Sequence, residues 1–266
     1  MIVVTYDENG NPIRLLSLEA NVLTTSQRKA SYPPIHKNLY TGQSSEVDSF
    51  IDNWMKVHSI EIHNLSTSNE STDNLNTPLP CLSFEDMKFP SSLLHLLNQQ
   101  GYLEPTAIQA CSLPLILTGR NIIGSSATGS GKTCCYLLPL LLSITQQDWF
   151  HTNQQGPLAL ILVPTRELAE QIASVAKPFF SLYHIKSLCV TGGISEWSQK
   201  KALYKQTYDV IIGTPGRFIE LVNQNYCSLD NCCYLVRMKL LHNSNRFLMK
   251  QIEWYRWVLN SKFVLS

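Results

Sequence analysis

The chain has 266 residues, of which 44% are apolar and 15% are charged, with a formal net charge of +1. This composition is too apolar for a disordered chain, and at about 150 residues per domain the length predicts one or two domains. The near-neutral net charge argues against a strongly basic protein. No apolar stretch reaches the ~20 residues that a membrane-spanning helix needs. We therefore expect one or two folded domains and no membrane association.

Charge is nevertheless spread unevenly along the chain. Residues 1–236 contain 15 Lys and Arg against 19 Asp and Glu, whereas residues 237–266 contain six against one. Composition also changes at residues 64–78, where ten of fifteen residues are Ser, Thr or Asn, and such a segment cannot bury a core. These two changes predict an extension over residues 1–78, a folded domain over 79–236 and a basic tail over 237–266.

The N-terminal extension carries three local signals. Asn9-Gly10 stands between two apolar runs and predicts a hairpin turn. Asp7 and Glu8 end the first of these runs in the manner of a magnesium-binding acidic pair, but we favour solvated hairpin acids because the turn follows at once. Over residues 45–63 apolar side chains recur at helical spacing. We expect a short helix there and partial disorder in the rest of the extension.

The eight cysteines include no Cys-x-x-Cys pair, and the seven histidines are scattered. These spacings argue against a zinc site. The first residues lack the basic and apolar segments of a secretory signal, so we expect reduced thiols. An intracellular location is predicted, with the nucleus slightly favoured over the cytoplasm.

Within residues 79–236 short apolar runs alternate with helical periodicity. Strands are predicted at residues 121–124, 159–163, 187–190, 209–213 and 232–236, and helices include residues 131–144 and 167–182. The run 159–163 is apolar throughout, as expected of a strand that is buried on both faces. Alternation of this kind predicts an α/β fold with a doubly wound parallel sheet.

A phosphate-binding loop follows the first of these strands and precedes a helix. Its residues are Ser126, Ala127, Thr128, Gly129, Ser130, Gly131, Lys132 and Thr133. In such a loop the glycines allow successive N–H groups to converge on phosphate oxygens, the lysine reaches the β- and γ-phosphates, and the hydroxyl of Thr133 is a magnesium ligand. Ser126 departs from the strict pattern, which has glycine at that position. We favour a nucleotide site over a glycine turn that only caps a helix.

Upstream of this loop stands a second pattern, Gly101-Tyr102-Leu103-Glu104-Pro105-Thr106-Ala107-Ile108-Gln109, with Phe84 placed 17 residues before its first glycine. It resembles the adenine-reading Q motif of the DEAD-box RNA helicases. A glutamine amide can donate to and accept from one edge of adenine, which favours ATP. The best stacking candidate is Tyr102, with Phe84 packed behind it, and Thr106 is assigned to the same site.

Three downstream segments are similar to further motifs of this family, in the family's order, and each follows a predicted strand. Their candidate residues are Pro164, Thr165, Arg166, Gly192, Gly193, Thr214, Pro215, Gly216 and Arg217. The resemblance implies that these segments hold single-stranded RNA by its phosphates and sugars. It also implies a P-loop RecA-like lobe that uses ATP and Mg²⁺.

After the last predicted strand the chain departs from the family. There the family has Asp-Glu-Ala-Asp, whereas Val236 is followed by Arg237-Met238 and no acidic residue occurs before Glu253. The family's second lobe, with its arginine fingers, has no counterpart. We therefore expect a truncated first lobe with no intact catalytic residues, which binds ATP and RNA but neither hydrolyses nor unwinds, and we expect residues 237–266 not to be family sequence.

Two other functions are alternatives for this sequence. One is a non-enzymatic isoform that competes for protein partners through residues 1–63. The other is a P-loop kinase or GTPase, which the Gln109 motif disfavours.

Overall fold

The structure is a computed structural model that describes residues 2–4, 45–64, 78–118, 122–145, 156–229 and 231–238. The chain divides into two compact units, one from Met1–Phe89 and Tyr102–Cys135 and the other from Pro90–Gly101 and Tyr136–Ser266. The Asn9-Gly10 turn, the acids Asp7 and Glu8, and most of the basic tail lie outside the described residues. The boundaries proposed at residues 78 and 236 stay predictions.

The described elements alternate between helix and strand over most of the chain. In chain order they are β1 (Ile2–Val4), α1 (Ser45–Val57), β2 (His63–Asn64), α2 (Ser91–Gln99), α3 (Ala107–Leu117), β3 (Ile122–Gly124), α4 (Lys132–Thr145), β4 (Ala159–Leu162), α5 (Arg166–Leu182), β5 (Ser187–Val190), α6 (Glu196–Lys205), β6 (Val210–Gly213), α7 (Pro215–Asn223) and β7 (Tyr234–Arg237).

The larger sheet belongs to the second unit and is parallel throughout, with strand order β5-β6-β4-β7. All residues of β4 and β6 are buried, which explains their unbroken apolar sequence. Its core includes Leu160, Ile211, Phe218 and Leu235. The predicted parallel sheet is confirmed here, and the strand predicted at 232–236 begins two residues later, at Tyr234.

The smaller sheet belongs to the first unit and has the order β2-β1-β3. β1 runs parallel to β3, with Ile2 opposite Ile122 and Val4 opposite Gly124, and antiparallel to β2. The strand that precedes the phosphate loop therefore pairs with the N-terminal segment, which the sequence pattern did not predict. A strand of three residues is too short for its pattern of apolar residues to indicate which strand it pairs with.

Helix α3 packs beside β3 in the first unit, and it is apolar on all sides. Ten of its eleven residues, from Ile108 to Leu117, are buried. A helix without a polar face must be enclosed by protein, and its N-terminal turn therefore occupies a well-determined position. In the second unit α5 is amphipathic instead, and its buried residues include Ile172 and Phe179.

No helix in the described ranges is both long and apolar enough to cross a bilayer.

Candidate functional site

The phosphate loop connects β3 to α4 in a conformation that depends on two glycines. Gly129 and Gly131 have φ angles of +80° and +89°, a region that residues with a Cβ rarely adopt. The helix begins at Lys132, so the loop ends at the positive end of the helix dipole, where the first N–H groups have no partner within the helix. The local geometry is that of an anion-binding cradle.

A buried glutamine joins the upstream motif to this loop. Gln109 is completely buried, and its Nε2 donates to the carbonyl of Gly131 at 2.9 Å. The N–H of Thr106 donates to Gln109 Oε1 at 3.0 Å, and the hydroxyl of Thr106 donates to the carbonyl of Ser130 at 2.7 Å. Both side chains thus hold the loop from one side. A Cβ at Gly131 would overlap Gln109 Nε2, so this position requires glycine for space as well as for φ.

The predicted contact of Gln109 with adenine stays a prediction. Its hydrogen bonds with described residues use one N–H of Nε2 and one lone pair of Oε1. An amide has a second donor and a second acceptor position, but the side chain is completely buried, so a base edge can reach it only after neighbouring residues move. The side chain is also held in one orientation, which lowers the entropic cost of such recognition.

Lys132 is turned back onto its own loop. Its ammonium donates to the carbonyl of Ser126 and, at 2.9 Å, to the carbonyl of Ala127. Burial lowers the pKa of this lysine. The hydroxyls of Ser126 and Ser130 are 2.6 Å apart, so the serine that replaces the usual glycine closes the loop. Bound phosphate would compete with these carbonyls for the ammonium.

The two aromatic candidates differ in exposure. Phe84 is buried, with 2% of its surface exposed, and its ring centroid lies 6.4 Å from that of Phe89. Tyr102 is partly buried and hydrogen-bonded to the thiol of Cys134; burial, with a smaller contribution from Cys134, raises its pKa to about 12. Phe84 is therefore a packing residue in this structure. Stacking of Tyr102 on a base stays a prediction.

In the second unit three loops meet at one edge of the larger sheet. They are residues 163–165, 191–195 and 214, which follow β4, β5 and β6. These strands are neighbours and parallel, so their carboxyl ends share the edge at which open α/β sheets bind ligands. The structure thus brings together residues that lie as many as 53 positions apart, from Pro164 to Arg217.

Direct contacts connect these loops. Arg217 donates from Nη1 to the carbonyl of Ile194 at 3.1 Å and from Nε to Glu220 at 2.9 Å. The N–H of Thr214 donates to the carbonyl of Val190 at 3.0 Å. A Cβ at Gly193, whose φ is +77°, would lie 3.4 Å from Nη1 of Arg166. All three loops therefore form one surface that carries two guanidinium groups.

The two arginines are held differently. The side chain of Arg217 is 14% exposed, whereas that of Arg166 is 45% exposed and bonds Glu170 at 2.8 Å. The bond to Glu170 raises the pKa of Arg166. Each arginine lies in the first turn of a helix. Thr165 caps α5 by accepting from the N–H of Leu168 at 3.3 Å, and Pro215 is the first residue of α7.

Two glycines among the predicted RNA-binding residues have no close neighbours. Gly192 and Gly216 are exposed, and a Cβ at either would meet nothing within 4 Å. Pro164 and Pro215 are partly buried beside them. These glycines are therefore not required by packing in the described structure, and their assignment to an RNA site stays a prediction.

One residue that supports the site was missed from the sequence. Gln199 of α6 is buried, and its Nε2 donates to the carbonyl of Thr191 at 2.9 Å. It therefore orients the segment that enters Gly192 and Gly193. Polar residues occur all along α6, so nothing in the pattern distinguishes this buried amide from exposed ones.

Within the described ranges no three His, Cys, Asp or Glu residues lie close enough to hold a metal ion. All eight cysteines are free thiols, six of them buried, and burial raises the pKa of Cys111, Cys135 and Cys227 to about 12. Such thiols are poor ligands and nucleophiles at neutral pH. Thr133, the predicted Mg²⁺ ligand, lies in the first turn of α4.

The parallel sheet, the glycine-dependent phosphate loop and the loops at the strand ends define the class of RecA-like P-loop domains. A sequence model of the DEAD/DEAH box helicases matches residues 106–237. DEAD-box ATP-dependent RNA helicase 24 of Oryza sativa subsp. japonica is 33% identical over 238 residues, 88% of this chain and 29% of that protein. ATP-dependent RNA helicase DDX42 of Homo sapiens is 35% identical over 233 residues, 87% of this chain and 24% of that protein.

Solved structures agree with this relationship. The RNA helicase Prp28 from Chaetomium thermophilum, determined with bound ADP, matches with a TM-score of 0.60 and 33% identity over 71% of this chain and 45% of that one. A DEAD box protein from Methanococcus jannaschii matches with a TM-score of 0.56 and 28% identity over 70% of this chain and 50% of that one. The chain belongs to the DEAD-box RNA helicase family. It spans 24% to 29% of the length of the two curated relatives named above.

Proposed function

We propose that this chain binds ATP and single-stranded RNA as the first lobe of a DEAD-box helicase. One observation carries the ATP assignment: the buried amide of Gln109 bonds the carbonyl of Gly131 within the phosphate loop. A residue suited to reading adenine is thereby tied to the residues suited to holding phosphate. A P-loop kinase or GTPase has no need of this link, and ATP is favoured over GTP.

Binding of the nucleotide follows from the groups that surround the loop. Phosphate oxygens would accept N–H groups at the start of α4 and would take Lys132 away from the carbonyls of Ser126 and Ala127. Mg²⁺, when bound, neutralises phosphate charge, and Thr133 would be its protein ligand. The other ligands would come from the phosphates and from water, as is usual for this ion.

We further propose that the chain does not hydrolyse ATP. Catalysis of phosphoryl transfer requires a positioned water and charge stabilisation, and one arginine finger contributes about 10³–10⁵ in rate. Arg237 ends β7, and no Asp or Glu lies between residues 231 and 252. The carboxylates that the family has directly after this strand, to hold magnesium and orient water, therefore have no counterpart at residues 237–252.

Substitution of Lys132 tests the ATP assignment. The change Lys132→Met should weaken ATP binding by about 10- to 100-fold, because hydrogen bonds to charged groups contribute about 1.5–3 kcal/mol. Titration calorimetry measures the affinity, with Lys177→Met, an exposed change on α5, as the control. Tighter binding of GTP than of ATP would contradict the assignment, and RNA-stimulated turnover by the unmodified chain would contradict the lack of hydrolysis.

A second candidate function is a binding module that competes for protein partners through residues 1–63. Within this region α1 exposes Phe50 and Val57, at 59% and 71%, and such paired apolar exposure suits a protein contact. Added chain would then inhibit a full-length relative in a remodelling assay, and so would its Lys132→Met form. Inhibition that survives the double change Phe50→Asp and Val57→Asp would contradict this role.

An intracellular location, with the nucleus favoured, stays a proposal. The eight free thiols support a reducing compartment.

A further inference from the structure

Helix α6 presents an unusual face to solvent. Trp197 is 68% exposed and Tyr204 is 88% exposed, although large aromatic side chains normally bury most of their surface. Lys201 and Lys205 lie beside them, because positions separated by four, seven and eight residues share one side of a helix. We name these four residues the α6 stripe: Trp197, Lys201, Tyr204 and Lys205.

Two lysines of α6 lie over aromatic rings. The ammonium of Lys201 lies 4.6 Å from the ring centroid of Trp197, and it forms no ion pair with a carboxylate of the described residues. Beside the stripe, Lys200 lies 5.1 Å from the ring centroid of Tyr226, which is 40% exposed. Cation–π contacts hold the rings in place while leaving ring surface open.

The chemistry of the stripe selects its ligand. All the large hydrophobic residues that α6 exposes are aromatic, and no exposed Leu, Ile or Val accompanies them. Protein interfaces generally have an apolar core from which lysine is depleted. Flat rings alternating with lysines instead match single-stranded nucleic acid, whose bases stack on aromatic side chains while its phosphates take the charges.

The position of the stripe supports the same ligand. α6 begins at Glu196, directly after the loop 191–195 that holds Gly193 and the carbonyl bonded by Arg217. Trp197 and Tyr204 are seven positions apart on the helix, or about 10 Å at a rise of 1.5 Å per residue. About three bases at a stacking distance of ~3.4 Å span this length. A strand that leaves the loop can therefore continue along the helix.

We propose that the α6 stripe is a second contact surface for single-stranded RNA, which extends the proposed RNA site beyond the strand-end loops. The proposal rests on the proposed function, since it assumes that those loops hold RNA. Trp197 and Tyr204 stack on bases, and Lys201 and Lys205 contact phosphates. The stripe makes affinity depend on RNA length rather than on sequence, because every base has a face that can stack.

The test compares two oligouridylates, of six and of 18 nucleotides, by fluorescence anisotropy on the full chain. The double change Trp197→Ala and Tyr204→Ala should weaken binding of the 18-mer about tenfold or more, because it removes the binding free energy of two stacked bases. Binding of the 6-mer should be unaffected. Lys201→Gln should reduce the salt dependence of 18-mer binding by about 0.7 in the slope of log K against log salt. The matched control is Phe50→Ala with Val57→Ala, which removes exposed apolar side chains from α1.

The outcomes separate this proposal from the function on which it rests. If Arg217→Gln weakens both oligonucleotides and the double aromatic change weakens only the 18-mer, both are supported. If the aromatic change leaves 18-mer affinity as in the wild type, the α6 proposal is overturned while the loop assignment stands. A change of oligomeric state in sedimentation, without a change in RNA affinity, overturns it in favour of protein docking. Failure of the wild-type chain to bind either RNA overturns both.

Discussion

The phosphate loop and the strand-end loops hold their cations in different ways. In the first unit Lys132 bonds the carbonyls of Ser126 and Ala127, within its own loop. In the second unit Arg166 and Arg217 bond carboxylates three or four residues further along their helices. Lys132 would have to exchange these partners to bind phosphate, whereas each arginine has N–H donors on its planar fork that bond none of the described residues.

The backbones of the two regions differ as well. The phosphate loop requires glycines with positive φ and a buried amide that supports them, so its shape depends on a few close contacts. The strand-end loops take their positions from a parallel sheet, and two of their glycines make no close contact. Small changes should therefore disturb structure in the phosphate loop and ligand contact in the strand-end loops. Gly213, at the end of β6, is the exception because it packs closely against the backbone of Val190.

The largest effect is expected for Gly213→Ala. A Cβ there would overlap the carbonyl oxygen of Val190 on the neighbouring strand β5, and backbone cannot move without breaking the pairing of β5 with β6. We expect a loss of more than about 3 kcal/mol in the free energy of unfolding, as for severe overpacking. Thermal denaturation followed by circular dichroism measures it. Gly192→Ala, at an open position nearby, is the control, and equal melting temperatures for the two variants would contradict the argument.

Gly131→Ala comes next and tests the dependence of the phosphate loop on close contacts. The change combines a φ of +89° with overlap onto Gln109, and should cost about 2–3 kcal/mol of stability and abolish ATP binding. Gly129→Ala is the matched control: its φ is +80° but nothing lies within 4 Å, so only the backbone strain of about 1–2 kcal/mol applies. Chemical denaturation separates the two. If both lose the same stability, the link to Gln109 contributes nothing.

Arginine-to-lysine changes should separate the two cations of the strand-end loops. Arg217→Lys should weaken RNA binding about tenfold, because a lysine cannot bond the carbonyl of Ile194 and Glu220 in the same geometry. Arg166→Lys should cost about twofold, since this exposed side chain bonds only Glu170 among the described residues. Anisotropy titrations at one salt concentration give the ratio, and a reversed order would show that exposure, not anchoring, determines the contribution.

The smallest effect on stability is expected for Gly216→Ala. This residue lies in the first turn of α7 with open space around it, and alanine in a helix is favoured over glycine by about 0.5–1 kcal/mol. The variant should be as stable as the wild type or slightly more stable. A matching loss of RNA affinity in titrations would show that the open space serves the ligand, whereas unchanged affinity would remove Gly216 from the site.

Local structure followed the sequence closely wherever a single segment carries the information. The strand at 187–190 was predicted with its observed bounds, and the helix after the phosphate loop begins one residue later than expected. Unbroken apolar runs and a glycine-rich turn before a helix are local patterns, so no knowledge of the rest of the chain is needed to interpret them.

The contacts that build the site could not be predicted in the same way. The bond of Gln109 to Gly131 spans 22 positions, that of Arg217 to Ile194 spans 23, and β1 pairs with β3 across more than a hundred residues. A side-chain pattern states which residues are apolar or polar, but not which distant partner each polar atom finds. The buried amide of Gln199 illustrates this limit, because other polar residues occur all along α6 and the pattern does not single it out.

The sequence by itself determined the family, the phosphate loop and the order of the motifs, because residue types at short spacing decide turn geometry and helix starts. The charge break at residue 236 is likewise a property of composition alone. Only the tertiary structure decided that Gln109 supports the phosphate loop, that Lys132 turns inward, and that Trp197 and Tyr204 stand open beside lysines. The physical reason is that burial and hydrogen bonding depend on which distant segments come into contact, and tertiary packing determines those contacts.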